Sequence, residues 1–185
     1  MKSKIILLIL LISVIVGYVC VKKYGYKLMP KFGIPLDSHN GIVVYYNTPG
    51  NHGRTIASDG YVIGKKYQCV EFVKRYYYYH YKHKMPNPWG HAINFYNPRI
   101  KDGCLNGERN LTQYNQGSKS KPKEGDILVM SSRYGHVAIV SEVNDSEIEI
   151  VQQNVFIKTR DNFDLIHKKG LWYVDNNRVK CWLRK

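Results

Sequence analysis

Residues 135–154 carry the pattern that most limits how this chain can fold. Gly135-His136-Val137-Ala138-Ile139-Val140-Ser141-Glu142-Val143 reads as a strand, Asn144-Asp145-Ser146 is turn chemistry, and Glu147-Ile148-Glu149-Ile150-Val151-Gln152-Gln153-Asn154 returns as a second strand. Two strands joined by so short a turn pair antiparallel. With the turn centred on Asp145, His136 faces Asn154, Ala138 faces Gln152 and Val140 faces Ile150. The period of two puts all six on one otherwise apolar face, and the turn geometry sets this register.

A histidine and an asparagine meeting across a hairpin admit two readings. One is a core histidine satisfied by a neighbouring amide. The other is a general base whose tautomer the asparagine fixes, leaving the second ring nitrogen for a nucleophile. The second reading needs a nucleophile elsewhere. Gly64-Lys65-Lys66-Tyr67-Gln68-Cys69-Val70-Glu71-Phe72 provides one. Nothing breaks a helix from residue 68 to about 81, so Cys69 falls at a helix start, where the peptide dipoles favour an anion. That field, with Lys65 and Lys66 nearby, is expected to lower the thiol pKa. A lone cysteine is more often structural, so the assignment depends on its partners. Along the helix, Val70, Val73, Tyr77 and Tyr81 fall at core spacing, Lys74 and Arg75 are expected outward, and residues 76–79 read as packing tyrosines.

The remaining chain reads more simply. Residues 41–46 form a β-branched, aromatic strand, 47–60 a loop, 90–96 a short helix, 112–123 a polar surface loop and 127–130 a strand. Of the four cysteines, Cys104 and Cys181 are left as a candidate disulfide if the compartment is oxidising. A zinc site on Cys69 and His136 would need two further ligands that the sequence does not offer.

The net charge of +14 predicts affinity for anionic surfaces, and without any nucleic-acid signature a specific nucleic-acid partner is not expected. An uncharged run of 17 residues, 5–21, is bracketed by Lys2 and Lys4 before it and Lys22 and Lys23 after it. It reaches the lower limit for a membrane-spanning helix and lacks a good cleavage site. Residues 1–23 are therefore expected to be a single-pass anchor or uncleaved signal, 24–31 a linker and 32–185 the functional domain. Counting Lys27 and Lys31 as well, the positive-inside tendency keeps that domain cytoplasmic, although large domains translocate regardless of charge.

The order Tyr67-Gln68-Cys69-Val70-Glu71-Phe72, Gly135-His136-Val137-Ala138-Ile139-Val140 and Gln153-Asn154 resembles the CHAP family of cysteine, histidine-dependent amidohydrolases and peptidases. Within it, the amidase domain of bifunctional glutathionylspermidine synthetase/amidase is the nearer likeness, covering most of 32–185 and matching poorly over 87–119. The resemblance implies a papain-like α+β CHAP fold, in which a helix with the catalytic cysteine at its start packs on an antiparallel β-sheet. It makes Cys69 the nucleophile, His136 the general base and then acid, and Asn154 the orienting residue. The Cys69 N–H and the Gln68 side chain would stabilise the oxyanion. It implies no cofactor.

The implied substrate is a small peptide amide or a glutathionyl-polyamine amide, with peptidoglycan as the alternative. An inactive, membrane-tethered binding module is the competing class. Two departures matter. Gln152 stands where many relatives have a glutamate that would support the histidine, and Lys74 stands where the family carries an arginine. No synthetase half accompanies the domain, so no ATP-dependent ligase activity is implied.

Overall fold

The computed structural model describes residues 2–25 and 29–185, so Lys27 and the middle of the expected linker lie outside the described residues. The chain divides into two compact units, Met1–Lys31 and Phe32–Lys185. The first is helix α1, Lys2–Tyr24. At ~1.5 Å per residue its length matches the ~30 Å hydrocarbon core of a bilayer. Lys4–Lys23 is long and apolar enough to cross a membrane, a criterion that a signal sequence near the N-terminus also meets.

The second unit is α+β. Its elements in chain order are β1 (Pro35–His39), β2 (Ile42–Tyr45), β3 (Arg54–Ile56), β4 (Val62–Lys65), helix α2 (Cys69–Tyr81), a 3-10 turn (Ala92–Phe95), β5 (Cys104–Asn106) and β6 (Leu111–Asn115). There follow β7 (Ile127–Met130), β8 (His136–Val143), β9 (Glu147–Val151), β10 (Arg160–Lys168), β11 (Leu171–Val174) and β12 (Val179–Arg184). Strands β11-β10-β9-β8-β7-β12-β6-β5 form one eight-stranded sheet, while β1-β2 and β3-β4 are separate hairpins. All neighbours are antiparallel.

Strand alternation divides the core. Val129, Val137, Ile139, Val151 and Leu183 pack with Phe72, Val73 and Tyr77 of α2. Leu128, Ala138, Val140, Ile150 and Trp182 pack on the opposite face with Leu165 and Val174. Helix α2 starts from Gln68 in an extended conformation, carries Glu71 in its first turn and ends at Lys82 in the left-handed region. Acidic charge in a first turn favours the helix. The buried tyrosines are packing residues with satisfied hydroxyls: Tyr77 donates to the Gly125 carbonyl at 2.8 Å and Tyr76 accepts from Asn40 at 2.9 Å.

Several expectations are corrected. Lys74 and Arg75 are buried rather than outward, because each finds polar partners inside the fold. The first part of the expected 112–123 loop, residues 112–115, belongs to strand β6, held between β5 and β12, while 116–123 form no strand. Residues Arg54–Ile56 form a short strand inside the expected 47–60 loop. The disulfide is ruled out by topology: Cys104 pairs with Gln113 on one side of β6, and Cys181 pairs with Asn115 on the other. Two strand spacings, ~9–10 Å, exceed what a disulfide spans, and both thiols are free.

These positions predict opposite responses. Cys181 has no solvent exposure, so Cys181→Ser buries an unpartnered hydroxyl and should cost ~1–3 kcal/mol in chemical denaturation. Cys104→Ser, at an exposed position, should stay within ~0.5 kcal/mol. Reductant should leave both curves unchanged.

Candidate active site

Cys69 is the first residue of α2, reached through Tyr67 in the left-handed region at φ 58° and the extended Gln68. Its sulfur lies against the backbone amides of Val137, Val70 and Cys69 itself. The β8–β9 ladder ends at the Ile139–Val151 pair, two residues short of Val137. The thiol therefore lies against the β8 backbone one residue from His136, and no hydrogen bond joins the two side chains.

His136 begins β8, opposite Met130. Gly135 before it adopts φ +76°, and a Cβ there would run into the Ile93 backbone. Close approach by the 3-10 segment thus fixes where the histidine strand starts, sealed by the Ile93 N–H donating to the Tyr134 carbonyl at 3.1 Å. Nε2 of His136 lies 2.9 Å from Oε1 of Gln152. An amide oxygen accepts, so Nε2 carries the proton and Nδ1 keeps its lone pair.

The expected His136–Asn154 pair is not what the structure forms. Pairing of Val140 with Ile150 follows the sequence-derived register, but a bulge at Ser141 shifts the turn end and β9 stops at Val151. Asn154 then turns away at φ 69°. Its Nδ2 donates to Oε1 of Gln68 at 2.7 Å, and its Oδ1 accepts from Asn47 at 2.9 Å. Gln152 takes the imidazole, while Asn154 orients Gln68 and leaves the Gln68 Nε2 free to donate.

Both central groups are neutral at rest. Burial pushes the Cys69 thiol up, although the three amides pull it down. Lys65 and Lys66 are exposed to solvent, and desolvation outweighs the helix field, so the expected lowering is overturned. Burial brings His136 down to about 4, against a raising contribution from Gln152, and the Arg178 charge lowers it further.

Beneath the site is a buried network that the sequence reading did not single out. Arg75 Nε donates to Glu71 Oε1 at 2.7 Å, and its Nη1 donates to the Val43 carbonyl at 2.8 Å. Gln153 Nε2 donates to Glu71 Oε2 at 3.1 Å and to the Gln68 carbonyl at 3.2 Å, while its Oε1 accepts from the Tyr45 amide at 2.7 Å. The i, i+4 spacing of Glu71 and Arg75 was the available signal. Among the described residues no cluster of three or more His, Cys, Asp or Glu side chains could hold a metal.

Two comparisons bear on this arrangement. A family model described as CHAP domain matches residues 56–154, which holds Cys69, His136, Gln152 and Asn154. A protein named trypanothione synthetase from Crithidia fasciculata is 28% identical over 147 residues, covering 72% of this chain and 22% of that protein. The chain thus spans about a fifth of the length of that relative.

Removing one member of the buried pair tests the network. Glu71 is fully buried and Arg75 nearly so. Glu71→Ala leaves the guanidinium without its counter-charge, and a loss of ~3–5 kcal/mol in urea unfolding is expected.

Proposed function

Since the chain belongs to the CHAP domain family, we propose that it is a thiol-dependent amide hydrolase with Cys69 as nucleophile. One observation carries this reading: the Cys69 sulfur lies against the Val137 amide, one residue along β8 from an imidazole whose Nε2 is held by Gln152. In a papain-like reading of the fold, Sγ attacks the amide carbonyl carbon while the thiol proton passes to Nδ1 of His136. The carbonyl π electrons move onto oxygen. The Cys69 N–H and Nε2 of Gln68 meet that oxyanion, Gln68 being oriented by Asn154. The C–N bond breaks as His136 returns the proton to the departing amine. Water, giving a proton to His136, then cleaves the thioester and releases the acid.

The substrate best supported is a glutathionyl-polyamine amide, on the motif likeness to glutathionylspermidine synthetase/amidase. Peptidoglycan is the second reading, favoured by the net charge of +14 and by a helix that an exported protein would carry. A binding module without turnover is the third. Residues 1–23 serve as an uncleaved anchor, 24–31 as a linker and 32–185 as the hydrolase. Full-length chain in detergent should release spermidine from glutathionylspermidine, and Cys69→Ala should abolish it. Solubilised muropeptides in its place would favour the wall substrate, and no turnover of either would leave the binding module.

The imidazole sets the pH profile. A base with a pKa depressed to about 4 accepts the thiol proton above that value and fails below it, so kcat/KM should hold down to about pH 4. Gln152→Glu places a carboxylate 2.9 Å from Nε2 in the geometry seen for the amide, favouring the imidazolium. The acid limb should move up by ~1–3 pH units. A limb that stays in place would remove the His136–Gln152 pair from the mechanism.

A fused C-terminal reporter separates the two topologies. Activity on the cytoplasmic side alone would eliminate the peptidoglycan reading.

A further inference from the structure

The corner just before the nucleophile holds an arrangement the mechanism does not use. Arg54 and Lys65 are direct partners across the β3–β4 hairpin. Directly opposite residues share a face, with Cβ atoms ~5 Å apart, and like charges there are unfavourable. Gly64, next to Lys65, is pressed against the α2 backbone at Glu71, 3.2 Å from where its Cβ would stand. Arg54 and Lys65 are therefore turned away from the helix, and both are exposed, as is Lys66. The Arg54 guanidinium lies over the Trp89 ring, 4.7 Å from its centroid, and that ring is itself 54% exposed.

Among the described residues no carboxylate forms an ion pair with Arg54, Lys65 or Lys66. Asp59 is tied to Lys84 at 2.6 Å and Glu71 to Arg75 at 2.7 Å. A guanidinium held flat on an aromatic ring presents its N–H edge outward, the geometry that takes a carboxylate bidentately.

The location connects the cluster to the site. Lys65 is four residues before Cys69, so by chain length alone it lies within ~14 Å of it. The Gln68 amide folds back onto the Lys65 carbonyl at 3.2 Å. On the other side, Trp89 leads into the 3-10 segment that packs on Gly135 and positions His136. The cations thus sit on the elements that lead into both proposed reacting side chains.

We infer that Arg54 and Lys65, backed by Trp89, form a subsite for a carboxylate of the substrate, so that the enzyme selects peptide-like amides bearing a negative charge several bonds from the scissile carbonyl. The inference rests on Cys69 being the nucleophile and names the substrate class of that same site. It can be read without turnover. Full-length protein in detergent at pH 7 is treated with 6-maleimidohexanoic acid or with its methyl ester, and labelling is quantified by peptide mass spectrometry. Exposed Cys104 is the internal reference that cancels the effect of net charge. The acid-to-ester labelling ratio should be several-fold higher at Cys69 than at Cys104. R54Q/K65Q should bring it down to the Cys104 value without changing labelling by the ester. K65Q alone, at a side chain that makes no hydrogen bond or ion pair among the described residues, should give an intermediate ratio. Equal ratios at the two cysteines in the unsubstituted protein, or a ratio unmoved in R54Q/K65Q, would overturn the subsite. If Cys69 reacts with neither reagent, as a buried neutral thiol can, the nucleophile reading is decided instead by whether Cys69→Ala loses turnover. The subsite is then decided by whether citrate, at matched ionic strength, raises the Tm of the unsubstituted protein but not of R54Q/K65Q.

Discussion

The site depends on a single buried amide, that of Gln153. Its oxygen accepts from the Tyr45 amide and from Arg75, and its nitrogen donates to the Gln68 carbonyl and to Glu71. These four bonds tie strand β2, Gln68 before Cys69 and the segment after β9 to one ion pair inside α2. A buried ion pair adds little net stability, because desolvation offsets most of its attraction. What it does here is geometric. Glu71 and Arg75 give Gln153 one arrangement that satisfies every partner, and the neighbouring residues inherit it. Gln152 is thereby held toward His136, and the Gln68 carbonyl holds the entry to Cys69.

The same burial bears on the charge state of Cys69 and His136. The field at the start of α2 and three backbone amides favour a thiolate, but removal from water opposes it and prevails. Desolvation acts in the other sense on the imidazole, and Gln152 offers it a neutral acceptor where a carboxylate would have favoured the cation. A thiolate–imidazolium pair is therefore not stored at rest. On the proposed mechanism, proton transfer accompanies attack, as charge develops on an oxygen that the Cys69 N–H and Gln68 would meet. Asn154 contributes from a distance by fixing the Gln68 amide.

The strand pattern made the centre of the sheet legible. Alternation put Val140 opposite Ile150, as the structure does, because two apolar faces leave one workable register. The same reasoning failed at the ends. The Ser141 bulge and the termination of β9 at Val151 are backbone events with no hydrophobic signature. A histidine assigned to Asn154 therefore belongs to Gln152. Strand β6 was illegible for a related reason: Gln113 is fully buried, but its amide is spent on Asn97 and Asn115 rather than on water. Polar residues satisfied by distant backbone read as loop.

Lys74 shows how far such hidden partners extend. Its side chain is 1% exposed and donates to the carbonyls of Val62 at 2.7 Å and Pro88 at 3.4 Å. Arg109, fully buried, donates to the carbonyls of Asn87, Trp89 and Asn94. Residues 87–94 form no strand, so their carbonyls have no ladder to enter, and two cations satisfy them instead. The cost shows in Lys74, which burial and the Arg109 charge lower to about 8. This segment carries Trp89 and the turn that packs on Gly135, so the cations stiffen the wall beside the histidine strand. The family carries an arginine at this position. An ammonium buried among carbonyls is spent on holding this segment and is not available to a ligand.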